Sequence, residues 1–273
     1  MSSRVPASSL AGVDEDIRDY YETGVELDRL AQGYSRIEFE RTKELLARYL
    51  PPAPATVLDV GGGPGVYADW LHELGYRVRV VDPSPLHVSQ ARERAAGRFE
   101  AVEGDARRLE EETGAYDTVL LLGPLYHLTI REDRLAALHE ARRVLRPGGV
   151  VAAAAISRFA SLLDGLYGGY LSDPRFWAIV QRDLADGQHR SPGEPPAFTT
   201  AYFHRPEELA AEVLEAGFDL EGMFGVEGPG WLVADRWDDE RARENILRVA
   251  RTVEAEPTVI GTSSHLLAIG RRV

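Results

Sequence analysis

The chain has 273 residues, 44% of them hydrophobic, and carries a formal net charge of −13 with a pI near 5.1. That is enough for one large α/β domain with an elaboration, or for two small domains. The acidic balance argues against a nucleic-acid surface, which needs clustered Lys and Arg. The absence of cysteine excludes disulfides, thiolate metal sites, cysteine nucleophiles and methyl transfer through a thiolate adduct. No apolar run approaches the length of a membrane span, and Met1-Ser2-Ser3-Arg4-Val5-Pro6 has no signal core, so a soluble cytoplasmic protein is expected.

Residues 1–13 are small and polar. From Asp14 to Tyr49, Ile17, Tyr20, Tyr21, Ile37, Leu45, Leu46 and Tyr49 recur at helical spacing, with a break near Gly33. Tyr20 and Tyr21 read either as core contacts or as part of a lid, with an aromatic and an arginine reaching a ligand. Pro51-Pro52-Ala53-Pro54 ends the helix. Then comes Val57-Leu58-Asp59-Val60-Gly61-Gly62-Gly63-Pro64-Gly65-Val66-Tyr67, a buried strand, a glycine turn and a helix start. Such a corner binds anions and nucleotides through backbone amides and a helix N-terminus. The dinucleotide pattern G-x-G-x-x-G/A fails here, because Val66 stands at its last position. Asp59 points into the same corner, where it would repel a diphosphate and suit a ligand with positive charge.

A helix from Val66 to Leu74 ends at Gly75. The second strand, Arg77-Val78-Arg79-Val80-Val81, closes on Asp82. An acid there can accept hydrogen bonds from both ribose hydroxyls, or cap the helix that follows Pro83-Ser84-Pro85. Leu86 to Ala96 is helical. Phe99 to Glu103 is the third strand, followed by Gly104-Asp105-Ala106, where Asp105 alone reads as a turn residue. Tyr116 to Gly123 is a fourth strand, apolar enough to be buried on both faces of a parallel sheet. Pro124-Leu125-Tyr126-His127-Leu128 leaves its C-terminal end, the edge where such sheets bind ligands. A helix over 131–145, the turn Arg146-Pro147-Gly148-Gly149 and a strand from Val150 to Ile156 follow.

This ordered series resembles the class I S-adenosylmethionine-dependent methyltransferases. It runs from Asp59 with the glycines, through Asp82, Gly104-Asp105-Ala106 and Asp117–Gly123, to Leu145–Gly149, and it covers residues 57–156. The resemblance implies a doubly wound, Rossmann-like α/β sheet of seven strands in the order 3-2-1-4-5-7-6, with strand 7 antiparallel. Phe218–Phe224 would supply strand 6, and Ser264–Gly270 strand 7. It implies S-adenosylmethionine as the cofactor, released as S-adenosylhomocysteine. Its binding residues would be Tyr21, Asp59, Gly61, Gly63, Gly65, Asp82, Pro83, Ser84, Asp105, Ala106, Leu122 and Gly123. The carboxylate of Asp105 and the following N–H would face adenine. Residues 1–50 would form an N-terminal helical cap, and 51–273 the methyltransferase domain.

Ser157–Phe203 exceeds a minimal core and reads as a substrate lid above the sheet edge or as a packing subdomain. Tyr167, Tyr170, Tyr202 and, from the loop Gly228-Pro229-Gly230-Trp231, Trp231 are its candidate substrate contacts. His127, His204 and Tyr126 are the candidate catalytic groups. His127 reads either as a base or as a cofactor-pocket feature. An Asn/Asp-Pro-Pro-Tyr motif, used for amide and nucleobase amines, is absent after the fourth strand, and there is no convincing metal-ligand set. The expected partner is a small-molecule methyl acceptor, with no nucleic acid and no membrane; a homodimer stays open. The expected reaction is in-line methyl transfer to oxygen or nitrogen. The alternatives are an RNA-modifying methyltransferase and a nicotinamide-dependent oxidoreductase, the latter disfavoured by Asp59 and Val66.

Overall fold

The computed structural model describes residue 17 and residues 20–21, 24–33, 35–190 and 198–273. The readings of residues 1–13 and of the start of the helical stretch at Asp14 lie outside the described residues.

Strands β1 (Thr56–Val60), β2 (Arg77–Asp82), β3 (Glu100–Glu103), β4 (Tyr116–Leu121) and β5 (Leu145–Ser157) pair in parallel in the order 3-2-1-4-5. The order follows from right-handed crossovers, each carrying a helix back over the sheet. Because neighbouring residues of a strand face opposite sides, the sheet builds two cores. Val57, Val80 and Leu120 pack with Leu45 and Leu46 of α1 (Ser35–Tyr49), Ala68 and Leu71 of α2 (Val66–Glu73) and Val88 and Ala91 of α3 (Pro85–Ala95). Leu58, Val119 and Leu121 face the other way. They meet Ala137, Leu138 and Ala141 of a helix at Arg131–Val144, and Leu209 and Val213 of one at Pro206–Glu215. Alanines 152–155 in β5 are small enough for both layers to close on a strand with neighbours on each edge.

The sheet carries two more short strands than expected, β6 (Gln188–His189) and β7 (Ala201–His204), both inside the insertion. Strand β8 (Phe218–Gly225) and the antiparallel β9 (His265–Arg272) are the late pair expected after the insertion. β9 pairs with β5 along Val150–Ile156, and Ile156 also pairs with Phe203. A residue has only two edges, so β7 lies on the β4 side of β5, beyond the end of β4. The end of the insertion therefore returns to the C-terminal edge of the sheet. Helices Ala160–Gly168 and Pro174–Asp186 form its outer part. The expected turn at 146–149 is a bulge within β5, since Leu145 already pairs with Tyr116. The cap is interrupted: Val25–Ala31 is a 3-10 helix, and α1 starts only at Ser35. Among the described residues, no helix is long and apolar enough to cross a membrane.

A buried charge pair ties the two helices of the second layer together. Arg134 donates from Nε and Nη2 to Glu212 at 2.7–3.1 Å and from Nη1 to the Leu128 carbonyl at 2.9 Å. Removing one partner of such a pair leaves a buried, uncompensated charge. Arg134→Ala is therefore expected to lower unfolding free energy by about 3–5 kcal/mol. Urea denaturation checks this, and a loss under about 1 kcal/mol would show that the pair contributes as little as an exposed one.

Candidate active site

A cavity of about 580 Å³ lies at the C-terminal ends of β1, β2 and β4. Its floor is the glycine corner. Gly61 has φ 68°, and a Cβ there would sit 2.8 Å from Pro124, so the turn closes against the start of the short helix Pro124–His127. A Cβ at Gly62 would lie 2.7 Å from the Asp59 carboxylate. The backbone thus crosses directly over that acid.

Asp59 is fully buried, and its Oδ2 has no hydrogen-bond partner. Burial, reinforced by the charge of Asp82, pushes its pKa up to about 7. Asp82 is held differently. Its Oδ2 accepts from the Gly63 N–H at 2.9 Å, its Oδ1 accepts from the Ser84 N–H at 2.9 Å, and His87 Nδ1 lies 3.2 Å from Oδ1. A carboxylate offers about four lone-pair sites, so Asp82 retains capacity toward the cavity. Ser84 caps α3 with its own side chain, accepting from the His87 N–H. The helix-capping reading of this segment therefore belongs to Ser84. Asp105 also lines the cavity, and Arg107 grips its carboxylate at 2.6–3.1 Å while reaching Asp133 at 2.9 Å. Burial opposes ionisation of Asp105, but the Arg107 hydrogen bonds outweigh it and hold the carboxyl below its usual range.

On the far wall the Tyr21 hydroxyl and His127 Nε2 share a short hydrogen bond. His127 is edge-on to Tyr126 at 4.6 Å and stacked with Phe198 at 5.8 Å between centroids. Burial, only partly offset by the Thr200 backbone and the Asp82 charge, lowers the His127 pKa to about 4. The imidazole is neutral near pH 7 and acts as a hydrogen-bond acceptor for a phenol.

Of the sequence-derived candidates, Tyr21, Asp59, Gly61, Gly63, Asp82, Pro83, Ser84, Asp105, Ala106, Leu122, Gly123, Tyr126 and His127 line this one cavity. Six do not. Gly65 caps α2 with φ 77° and faces Phe99. His204 is buried against Glu212, its Nε2 3.3 Å from the carboxylate. Tyr202 is held on the far side of β7, with the Arg134 guanidinium 3.8 Å over its ring. Trp231 packs with Ile37 and Trp237 and donates to the Thr262 carbonyl at 3.0 Å. Tyr167, on the helix Ala160–Gly168, and Tyr170, in the turn between the two outer helices, are 50% and 41% exposed. Aromatic content marked the insertion, but its ring nearest the cavity is Phe198, which packs behind Tyr126 and His127 rather than lining the cavity itself. Arg29 and Glu38 also line the cavity. Their signal was a cation and an acid nine residues apart in the cap, flanking the Gly33 break.

The donor set fits a cofactor that carries both positive charge and a nucleoside: an orphaned buried carboxylate under a glycine loop, a second acid at the end of β2 and a third after β3. Residues 57–149 match the family model described as a methyltransferase domain. Over residues 57–149 the chain carries a methyltransferase domain. It is 27% identical over 220 residues to a ubiquinone biosynthesis O-methyltransferase of Xylella fastidiosa (strain 9a5c), covering 78% of this chain and 80% of that one. A protein of the same name from Xanthomonas axonopodis pv. citri (strain 306) is 28% identical over 199 residues, 69% of this chain and 72% of the relative. The PH0226 protein of Pyrococcus horikoshii OT3 shares the fold with a TM-score of 0.64, at 19% identity, over 93% of this chain and 99% of its own. The cofactor of this methyltransferase is S-adenosylmethionine.

The methyltransferase's buried acid has a pH signature. The Asp59 pKa is raised in the folded state from an ordinary 3.8 to about 7. The folded protein therefore binds this proton more tightly than the unfolded chain does. Its contribution to stability is full below about pH 4 and is lost as pH rises through about 7. Without cofactor, Asp59→Asn should remove that loss, raising the melting temperature relative to the parent at pH 8 by more than at pH 5. Equal differences at both pH values would show that Asp59 is already ionised.

Proposed function

We propose that the domain transfers the methyl group of S-adenosylmethionine to the hydroxyl oxygen of a small-molecule acceptor by in-line displacement. The carrying observation is the Tyr21–His127 hydrogen bond, in which a phenol hydroxyl already rests on an imidazole nitrogen at the cavity wall. The relatives named as O-methyltransferases support oxygen as the acceptor atom. The net charge of −13 favours a small acceptor over RNA.

When bound, S-adenosylmethionine supplies a methyl group made electrophilic by its sulfonium. The chain's residues divide the remaining work. Asp59 balances the cationic end beneath the glycine corner. Asp82 accepts from the ribose hydroxyls through the capacity that Gly63, Ser84 and His87 leave. Ala106 offers its N–H beside Asp105 to the adenine edge. Arg29 meets the carboxylate of the amino-acid end, since its guanidinium lines the cavity and a guanidinium matches a carboxylate in charge and in fork geometry. Leu122, Leu128 and Ile130 keep water from the reacting centre. On the acceptor side Tyr21 of the cap lines the cavity, and Phe198 of the insertion backs the His127 ring.

The acceptor hydroxyl would take the place of the Tyr21 hydroxyl on His127 Nε2, which would accept its proton as the methyl group passes from sulfur to oxygen and S-adenosylhomocysteine is left. A hydroxyl oxygen gaining a third bond becomes strongly acidic, so an imidazole with a pKa of about 4 suffices, and it is unprotonated throughout the physiological range. Methyl-labelled S-adenosylmethionine offered with a panel of small phenols and alcohols tests the reading. A methyl ether product is expected, with His127→Ala lowering kcat by about 10²-fold or more and changing S-adenosylhomocysteine affinity less than about threefold. An N-methylated product, or an unchanged kcat in the variant, would contradict it.

A further inference from the structure

Behind Arg29 lies a buried line of charges on four separate elements. Arg29, on the 3-10 turn Val25–Ala31, donates to Glu38 of α1 from Nη1 at 2.6 Å and from Nη2 at 3.1 Å. Glu38 Oε2 lies 3.9 Å from Nδ1 of His265, the first residue of β9. The same Nδ1 is 2.5 Å from Glu227 Oε1. Glu227 is fully buried in the loop after β8, and its Oε2 accepts from the Ser263 hydroxyl at 2.6 Å and from the His265 N–H at 3.0 Å. Ser263 in turn accepts from the N–H groups of Glu227 and Gly228. Glu227 is thus fixed from several directions, whereas Arg29, with its side chain 30% exposed, stands at the cavity end of the line.

Glu38, Glu227 and His265 bring ligand atoms within 4.8 Å of one another, the spacing of a cation site. Their charges argue for a different use. Two carboxylates alternate with two cations, Arg29 and protonated His265, so the cluster is neutral as it stands. The charged groups facing His265 are Glu38 from α1, Glu227 from the loop after β8 and Arg29 from the 3-10 turn. Burial lowers its pKa, but Glu38 and Glu227 outweigh that and raise it to about 9. A divalent ion would have to displace this proton and repel the guanidinium as well.

We propose that His265 and Glu227 are positioning residues for cofactor binding: they hold Glu38 in place so that Glu38 fixes the Arg29 guanidinium at the amino-acid end of the cavity. This rests on the reading of Arg29 as the carboxylate anchor. Without a cation at His265, Glu38 and Glu227 would repel each other across a buried gap. Glu38 would then swing outward and take Arg29 with it. A guanidinium held by a rigid second charge meets a carboxylate with little further loss of side-chain freedom.

Calorimetric titration of the full chain with two ligands tests this. S-adenosylhomocysteine carries the amino-acid end, and 5′-methylthioadenosine lacks it. His265→Gln is expected to weaken S-adenosylhomocysteine about tenfold while leaving methylthioadenosine within about twofold, and Glu227→Gln to move the same ratio in the same direction. Arg29→Met should abolish the preference for S-adenosylhomocysteine. A loss shared equally by both ligands in the two relay variants would mark His265 and Glu227 as merely structural and overturn the inference. So would unchanged affinity for both ligands while Arg29→Met retains its selective effect. An Arg29→Met with no selective effect would overturn the anchor itself. Zinc or magnesium alone binding the parent, with loss of that binding in His265→Gln, would make the cluster a metal site and overturn the relay.

Discussion

The architecture depends on a carboxylate that cannot easily carry its charge. Asp59 sits on a central strand with the sheet on both sides, Gly62 backbone crossing over it and Asp82 close by. Ionising it in the empty protein costs about 4 kcal/mol, its pKa standing at about 7 in place of the usual aspartate value. The surroundings explain why the position is nonetheless an acid. Only a ligand bringing positive charge into this corner recovers the lost solvation, and a diphosphate would make matters worse. The glycine corner, which in outline suits any nucleotide, is made selective by one side chain beneath it.

The same rule governs the rest of the buried charge. Asp82 is surrounded by backbone N–H groups, Asp105 by Arg107, Glu212 by Arg134 and Glu38 by Arg29. Each of those acids is satisfied within the protein, and Asp59 Oδ2 is not. His127 is the counterpart on the acceptor side: no carboxylate stabilises its cation closely enough to offset burial, so it stays neutral and accepts hydrogen bonds. His265 lies between two carboxylates and behaves oppositely. Three histidines at one sheet edge, His127, His204 and His265, thus acquire different roles from their neighbours alone.

Much of the sheet was legible because its signals are local. Apolar runs such as Val119–Leu121, glycine after β1 and an acid closing β2 each follow from strand burial and turn chemistry, and their order carried the resemblance that implied the topology. β6 and β7 were not legible. Gln188–His189 and Ala201–His204 are too short to show a period, and they exist as strands because β5 runs past the end of β4 and leaves an edge to pair. The residues that line the cavity were read largely from strand ends, whose positions the sheet dictates. Tyr167, Tyr170, Tyr202 and Trp231, which lie outside it, are aromatic in a region that needs aromatics, and where each ring packs depends on how the insertion folds back. Arg29, Glu38, Glu227 and His265 lie as much as 236 residues apart and meet only through α1 and β9.

Proton release on cofactor binding tests the central claim most directly. At pH 6 Asp59 is protonated in the empty site, and a cationic cofactor should expel that proton. Calorimetry of S-adenosylmethionine binding at pH 6, in buffers of differing ionisation enthalpy, is predicted to show release of close to one proton, on the order of 0.9, and none in Asp59→Asn. Binding by the parent protein with no proton released would contradict the account, because Asp59 would then carry its charge, or keep its proton, regardless of the ligand.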